Sequence, residues 1–114
     1  KIFLHSCGAV KRCIPNLIAC GVDILNPVQT AAADMNPYDL KREFGDAICF
    51  HGGVDTQQAL RGTVDDVEEE VKKMLDAMNH RGGYILTSCN HIQNDIPVEN
   101  IIAMFEAAKK YGGA

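Results

Sequence analysis

His5 and Cys7 stand two residues apart at the end of the short apolar run Ile2–His5. Residues at i and i+2 that straddle a strand end can both turn toward one point. A neutral imidazole and a thiolate suit Zn2+. Cys89 follows another apolar run, Tyr84–Thr87, and can supply a third ligand from across the strand ends. Three protein ligands with one open position make the catalytic form of a zinc site. Two thiolates leave the metal a modest Lewis acid, suited to holding a substrate thiol as a nucleophilic thiolate. The alternative is a buried His with two small buried Cys and no metal, because H-x-C is a short pattern that recurs by accident.

His91 lies two residues past Cys89. It can replace Cys89 as a ligand, donate to a substrate carboxylate, or cap a loop. His51 ends a third apolar run and precedes Gly52-Gly53, where close backbone approach or positive φ is available. It reads either as functional or as a satisfied structural hydrogen bond. Asn26 and Gln29 can bond a polar substrate or fix the loop after Pro27. Asn90 and Gln93 belong to the same polar stretch as His91. Asp55 reads as the cap of a following turn. Cys13 and Cys20 share a helical face at i, i+7 and read as core, as does Cys49 inside a strand. His80 reads as surface, and Arg12, Arg42, Arg61 and Arg81 read as lying on helices or turns away from these clusters.

These residues need elements that hold them together. One pattern repeats four times: a short apolar strand, a polar cluster, then a helix. The strands are expected at Ile2–His5, Val22–Asn26, Ala47–His51 and Tyr84–Thr87. Helices are expected over Ala9–Cys20 with a kink or fresh start at Pro15, from the Asn36-Pro37 cap to Phe44, over Val64–Asn79, and over Pro97–Tyr111. On the third helix Val67, Val71, Met74, Leu75 and Met78 form one stripe. On the fourth, Ile101, Ile102, Phe105 and Ala108 are expected to face inward. Alternating β and α elements imply parallel strands with right-handed crossovers. Every polar cluster then falls at the C-terminal end of a strand, where barrel enzymes place their sites. The opposite turns hold only turn residues.

The fold class is therefore α/β, a (β/α)4 half of a (β/α)8 TIM barrel, with residues 1–114 as one domain. A whole barrel takes about 250 residues. Four units do not close a sheet, so a missing N-terminal half, a homodimer paired through the open barrel edges, or a flattened open sheet is expected, and a catalytically inactive half-barrel that self-associates stands as a further reading. Net charge is −4, with basic residues scattered among acidic ones, which argues against nucleic acid. No apolar run approaches the ~20 residues of a membrane span. The start KIFLHSCG has neither a basic n-region nor an apolar h-region, so no secretory leader is expected there. Five Cys, an odd number with no disulfide spacing, fit reduced thiols in the cytoplasm.

The clusters HSCG, GVDILNPVQ, LKREFGD…FHGGVDTQ and GGYIL…NHIQNDIPVENI, in this order, resemble the C-terminal half of the uroporphyrinogen decarboxylase-like superfamily. The resemblance runs from Lys1 to about Tyr111. It implies a (β/α)8 barrel with one of two chemistries. The first is methyl transfer from a methylated corrinoid (cobalamin) to a thiol, at a zinc site made of an H-x-C pair and a later Cys. His5 and Cys7 match the pair, and Cys89 lies near the later Cys. The partners implied are a small-molecule thiol and a corrinoid protein, with Asn26, Gln29, His91 and Gln93 shaping the pocket. The second is metal-free decarboxylation of acetate groups on a tetrapyrrole, which uses a His after the last strand. Asn90 or His91 occupies that place.

Overall fold

The computed structural model describes residues 1–113. Four parallel strands, β1 (Phe3–His5), β2 (Ile24–Asn26), β3 (Cys49–His51) and β4 (Tyr84–Ile85), lie side by side in sequence order. A single 3-10 turn, Lys11–Cys13, leads into α1 (Ile14–Ala19). The later helices are α2 (Pro37–Phe44), α3 (Val64–Met78) and α4 (Val98–Tyr111). This is the expected α/β architecture of half a (β/α)8 barrel.

The first three strands begin one or two residues later than their apolar runs. Val22 N–H returns to Leu17 O at 3.0 Å, and Ala47 and Ile48 N–H return to Phe44 O at 2.9 and 3.1 Å. Those donors close the preceding helix ends and are lost to the ladder. At the other end pairing outlasts the regular strand. Val54 N–H reaches Thr87 O at 3.0 Å, and Cys89 N–H reaches Val54 O at 2.7 Å. Val54 and Ser88 form a parallel bridge there.

The helix signals read from the sequence act locally. Asn36 Oδ1 accepts from Tyr38 N at 2.9 Å and Asp39 N at 3.2 Å, and Pro37 opens α2. Thr63 and Asp66 make a reciprocal capping box at the start of α3. Pro15 provides the fresh start, so the expected Ala9–Cys20 helix divides into a 3-10 turn and the six residues of α1.

Side chains alternate between the two faces of the sheet. Leu25 and Phe50 point one way and are fully buried, joined by Leu4 and Tyr84. They pack against Ile14, Leu40, Met74 and Met78 of α1, α2 and α3. A second cluster, with Val54, Leu60, Val67, Val71, Ile96, Met104 and Ala107, binds α4 to α3. The other face carries Phe3, His5, Ile24, Asn26, Cys49, His51 and Ile85, none of them fully buried. Phe3 is 51% and Ile85 43% exposed there.

Three core expectations are corrected. On α4 the fully buried stripe is Asn100, Met104 and Ala107, at i, i+4, i+7; Ile101 and Ala108 pack against the same cluster as expected, but Ile102 (52%) and Phe105 (47%) face outward. The stripe meets α3 through Met104 and Ala107, which cluster with Val67 and Val71, while Asn100 Nδ2 donates to Leu60 O and Gly62 O, both at 2.8 Å, just before α3. Cys13 and Cys20 are exposed, because α1 spans only Ile14–Ala19 and Ile14 alone of its residues is fully buried. Cys49 sits opposite Phe50 on the open face and is half-buried.

The buried Asn100 amide gives a direct test of α4 docking. Asn100→Ala leaves the two carbonyls without their donor, at a cost of roughly 1–3 kcal/mol. Chemical denaturation is expected to show a lower midpoint with an unchanged slope. A shift within error would mean that water replaces the amide at no cost.

Candidate functional site

The register of the sheet aligns three polar side chains across neighbouring strand ends. His5 pairs with Asn26, and Leu25 pairs with Phe50, which sets His51 beside Asn26. Period-two alternation turns all three toward the open face. Their contacts are short. His5 Nδ1 lies 2.7 Å from Asn26 Oδ1, and Asn26 Nδ2 lies 2.6 Å from His51 Nδ1. Asn26 Nδ2 also donates to His51 O at 3.4 Å. The His51 ring stands edge-on to Phe3, with centroids 5.1 Å apart and planes at 79°. Burial pushes the His51 imidazole below its ordinary pKa. A neutral ring suits its place as acceptor from the amide.

A cavity of about 420 Å3 opens over these residues, lined also by Ser88, Cys89, Asn90 and His91. Cys89 is only 6% exposed, with Thr56 Oγ1 at 3.6 Å from its sulfur. Its position follows from the Val54 bridge, which ties the loop after β4 to the end of β3. Gly52 makes that approach possible. Its φ is +109°, and a Cβ there would meet Ser88 O and Val28 N at 3.3 Å.

Of the residues singled out in the sequence, His5, Asn26, His51, Cys89, Asn90 and His91 therefore line one cavity. Cys7 does not. It is exposed and lies outside the lining. Gln29 Oε1 accepts from Gly8 N at 2.9 Å and braces the loop after β1. Gln93 lines a second cavity of about 290 Å3, which shares Asn90 and His91 with the first. Asp55 caps its own turn as expected, accepting from Gln57 N and Gln58 N at 3.0 and 2.9 Å.

Arg61 corrects the sequence reading. It lines the second cavity with Gln57, His91 and Gln93, and pairs with Asp95 at 2.5 Å. The turn after Asp55 brings it back over the strand ends. Turn geometry, with no periodic pattern behind it, left no sequence signal for this. Thr56, beside Cys89, was missed for the same reason.

The zinc expectation meets a divided result. His5 and Cys89 share a cavity, and imidazole and thiol are suitable donors. Among the described residues, no three His, Cys, Asp or Glu side chains are gathered at metal-binding spacing. The donor types fit, and the third donor stands apart.

Parallel strands with polar side chains collected at their C-terminal ends define a barrel-type α/β protein whose candidate site lies on the strand-end face. The family model for uroporphyrinogen decarboxylase (URO-D) matches residues 1–111, and the chain belongs to that family. It shares its fold with the solved structure of a methyltransferase from Methanosarcina mazei, at a TM-score of 0.77 and 24% sequence identity. The match covers 97% of this chain and 31% of that one, so the chain spans about a third of that protein's length. No curated protein matches the sequence. No helix among the described residues is long and apolar enough to cross a membrane.

The burial of the thiols sets an order of reactivity. Cys7, Cys13 and Cys20 are exposed, Cys89 is buried, and burial raises the Cys49 thiol above its ordinary pKa. Alkylation of this chain at about pH 8 is expected to modify the three exposed thiols well before Cys49 and Cys89, because the accessible thiolate is the reacting form. Peptide mass spectrometry over a time course reads this. Cys89 reacting as fast as Cys7 would show that the cavity wall opens freely.

Proposed function

We propose that this chain is the C-terminal half of a URO-D-family barrel that moves a methyl group from a methyl-corrinoid to a thiol. His5, Cys7 and Cys89 are the proposed zinc donors. Zinc bound there supplies a Lewis acid that keeps a substrate thiol ionised near neutral pH. The observation that carries this reading is the state of His5. Its Nδ1 is engaged by Asn26, which leaves Nε2 free over a cavity that Cys89 also lines. Ligating histidines have this arrangement, one nitrogen on the metal and the other held by a fixed polar group.

The chain's own residues then divide the work. Asn26 orients His5. His51, Asn90 and His91 meet the substrate on the cavity wall and rim, and Gln93 reaches it from the adjoining cavity. The open face, where Phe3 and Ile85 stand half exposed, is covered in this reading by the remaining strands of the barrel. Cys7 is exposed outside the cavity, so its use as a donor requires the loop after β1 to turn inward. A corrinoid protein is the proposed methyl carrier. Five free cysteines support a reducing, cytoplasmic setting.

Elemental analysis of the full-length protein, purified without added metal, tests the reading. About one zinc per chain is expected, as for a single three-donor site, falling well below half in Cys7→Ser and in Cys89→Ser. Methyl transfer to a thiol is expected to fall in parallel. A metal-free wild-type protein that decarboxylates a tetrapyrrole would replace this reading with the other chemistry of the family. Zinc retained in both variants would reject the donor set.

A further inference from the structure

We infer that Asn26 is a positioning residue that locks His5 and His51 in opposite tautomers. The reasoning starts from the amide. A carbonyl oxygen can only accept, so the approach of Asn26 to His51 O at 3.4 Å assigns the NH2 end to the His51 side. The same NH2 lies 2.6 Å from His51 Nδ1, which must then be the lone-pair nitrogen. His51 therefore carries its proton on Nε2. At the other end Asn26 Oδ1 has no proton to give. His5 Nδ1, 2.7 Å away, must donate, so the neutral His5 ring carries its proton on Nδ1 and presents a lone pair at Nε2.

One amide thus makes two chemically identical side chains unlike each other. The cavity gains a nitrogen lone pair from His5 and an N–H from His51. The first suits a metal or another electrophile, and the second suits an anionic or carbonyl oxygen of a substrate. The arrangement is held from three sides. Ladder register sets Asn26 between the two rings, Phe3 stands edge-on to His51 at 5.1 Å, and the backbone carbonyl of His51 prevents the amide from turning over. The inference rests on the proposed methyl-transfer reading only for the use of the two free nitrogens. The tautomers follow from the hydrogen bonds alone.

The test is nitrogen NMR of the full-length protein labelled at histidine, at alkaline pH where both rings are neutral, with signals assigned by single His→Gln variants. Unconstrained neutral histidine favours the proton on Nε2, so His5 is the diagnostic ring. The wild type is expected to show His5 protonated at Nδ1 and His51 at Nε2. In Asn26→Asp the bridge becomes a pure acceptor. His51 is then expected to switch its proton to Nδ1 while His5 keeps its own. In Asn26→Leu, His5 is expected to revert to the Nε2–H form. His5 with Nε2–H in the wild type overturns the inference, even if no variant folds. So does a folded Asn26→Asp in which His51 does not switch. Zinc content is measured separately, so a failed metal site and a failed bridge give different results.

Discussion

Alternation of side chains along parallel strands is the constraint on which everything else depends. Each strand gives its middle or aligned residue (Leu4, Leu25, Phe50, Tyr84) to the helices and its flanking residues to the open face. A slip of one residue in β2 would move Leu25 out of the core and bury Asn26 among methyl groups. The loss of a fully buried Leu, with an unpaired amide in its place, would cost several kcal/mol. The core therefore enforces the register that aligns His5, Asn26 and His51. The polar row is positioned by hydrophobic packing on the far side of the same backbone.

The strand ends are then shaped by backbone that a bulkier sequence would not permit. Between His51 and Val54 the chain passes through two glycines at φ +109° and +108°. Val54 can then pair with Ser88 after β4, although regular pairing stops at Ile85. Tyr84 secures the same crossing by donating to Gly52 O at 2.6 Å. Burial raises the pKa of this phenol further above neutral, in keeping with its role as donor. Cys89 and Asn90 reach the cavity because this short bridge extends the sheet past its last regular strand.

Much of this was legible in the sequence, and the reasons differ by element. The helix caps at Asn36 and Thr63 and the stripe on α3 are local signals, and local physics decides them. The strand-end placement of His5, Asn26, His51 and Cys89 followed from the βα alternation, which is a topological argument and needs no contact map. The failures lie where tertiary contacts choose among local options. Periodicity showed that α4 is amphipathic, but its docking through Asn100, Met104 and Ala107 leaves Ile102 and Phe105 facing away. The same limit hid Arg61, because no propensity indicates which way a turn doubles back. The pairwise order within the polar row was also beyond the sequence. Composition can place two histidines and an asparagine on one face, but only ladder register shows that the amide stands between the rings.

The second cavity sets one ion pair among neutral polar groups. Arg61 and Asp95 are both about half exposed, and a solvated pair of this kind is worth about 0–1 kcal/mol. It neither holds the cavity rigid nor gives it a net charge. A carboxylate entering there would exchange one anionic partner of Arg61 for another, at little net electrostatic gain. The other polar side chains of the lining, Thr56, Gln57, Asn90 and Gln93, are neutral groups that offer both donors and acceptors. His91 and Asn90 belong to both cavities, so a ligand that spans them would be read by amides at one end and by the His5–Asn26–His51 row at the other.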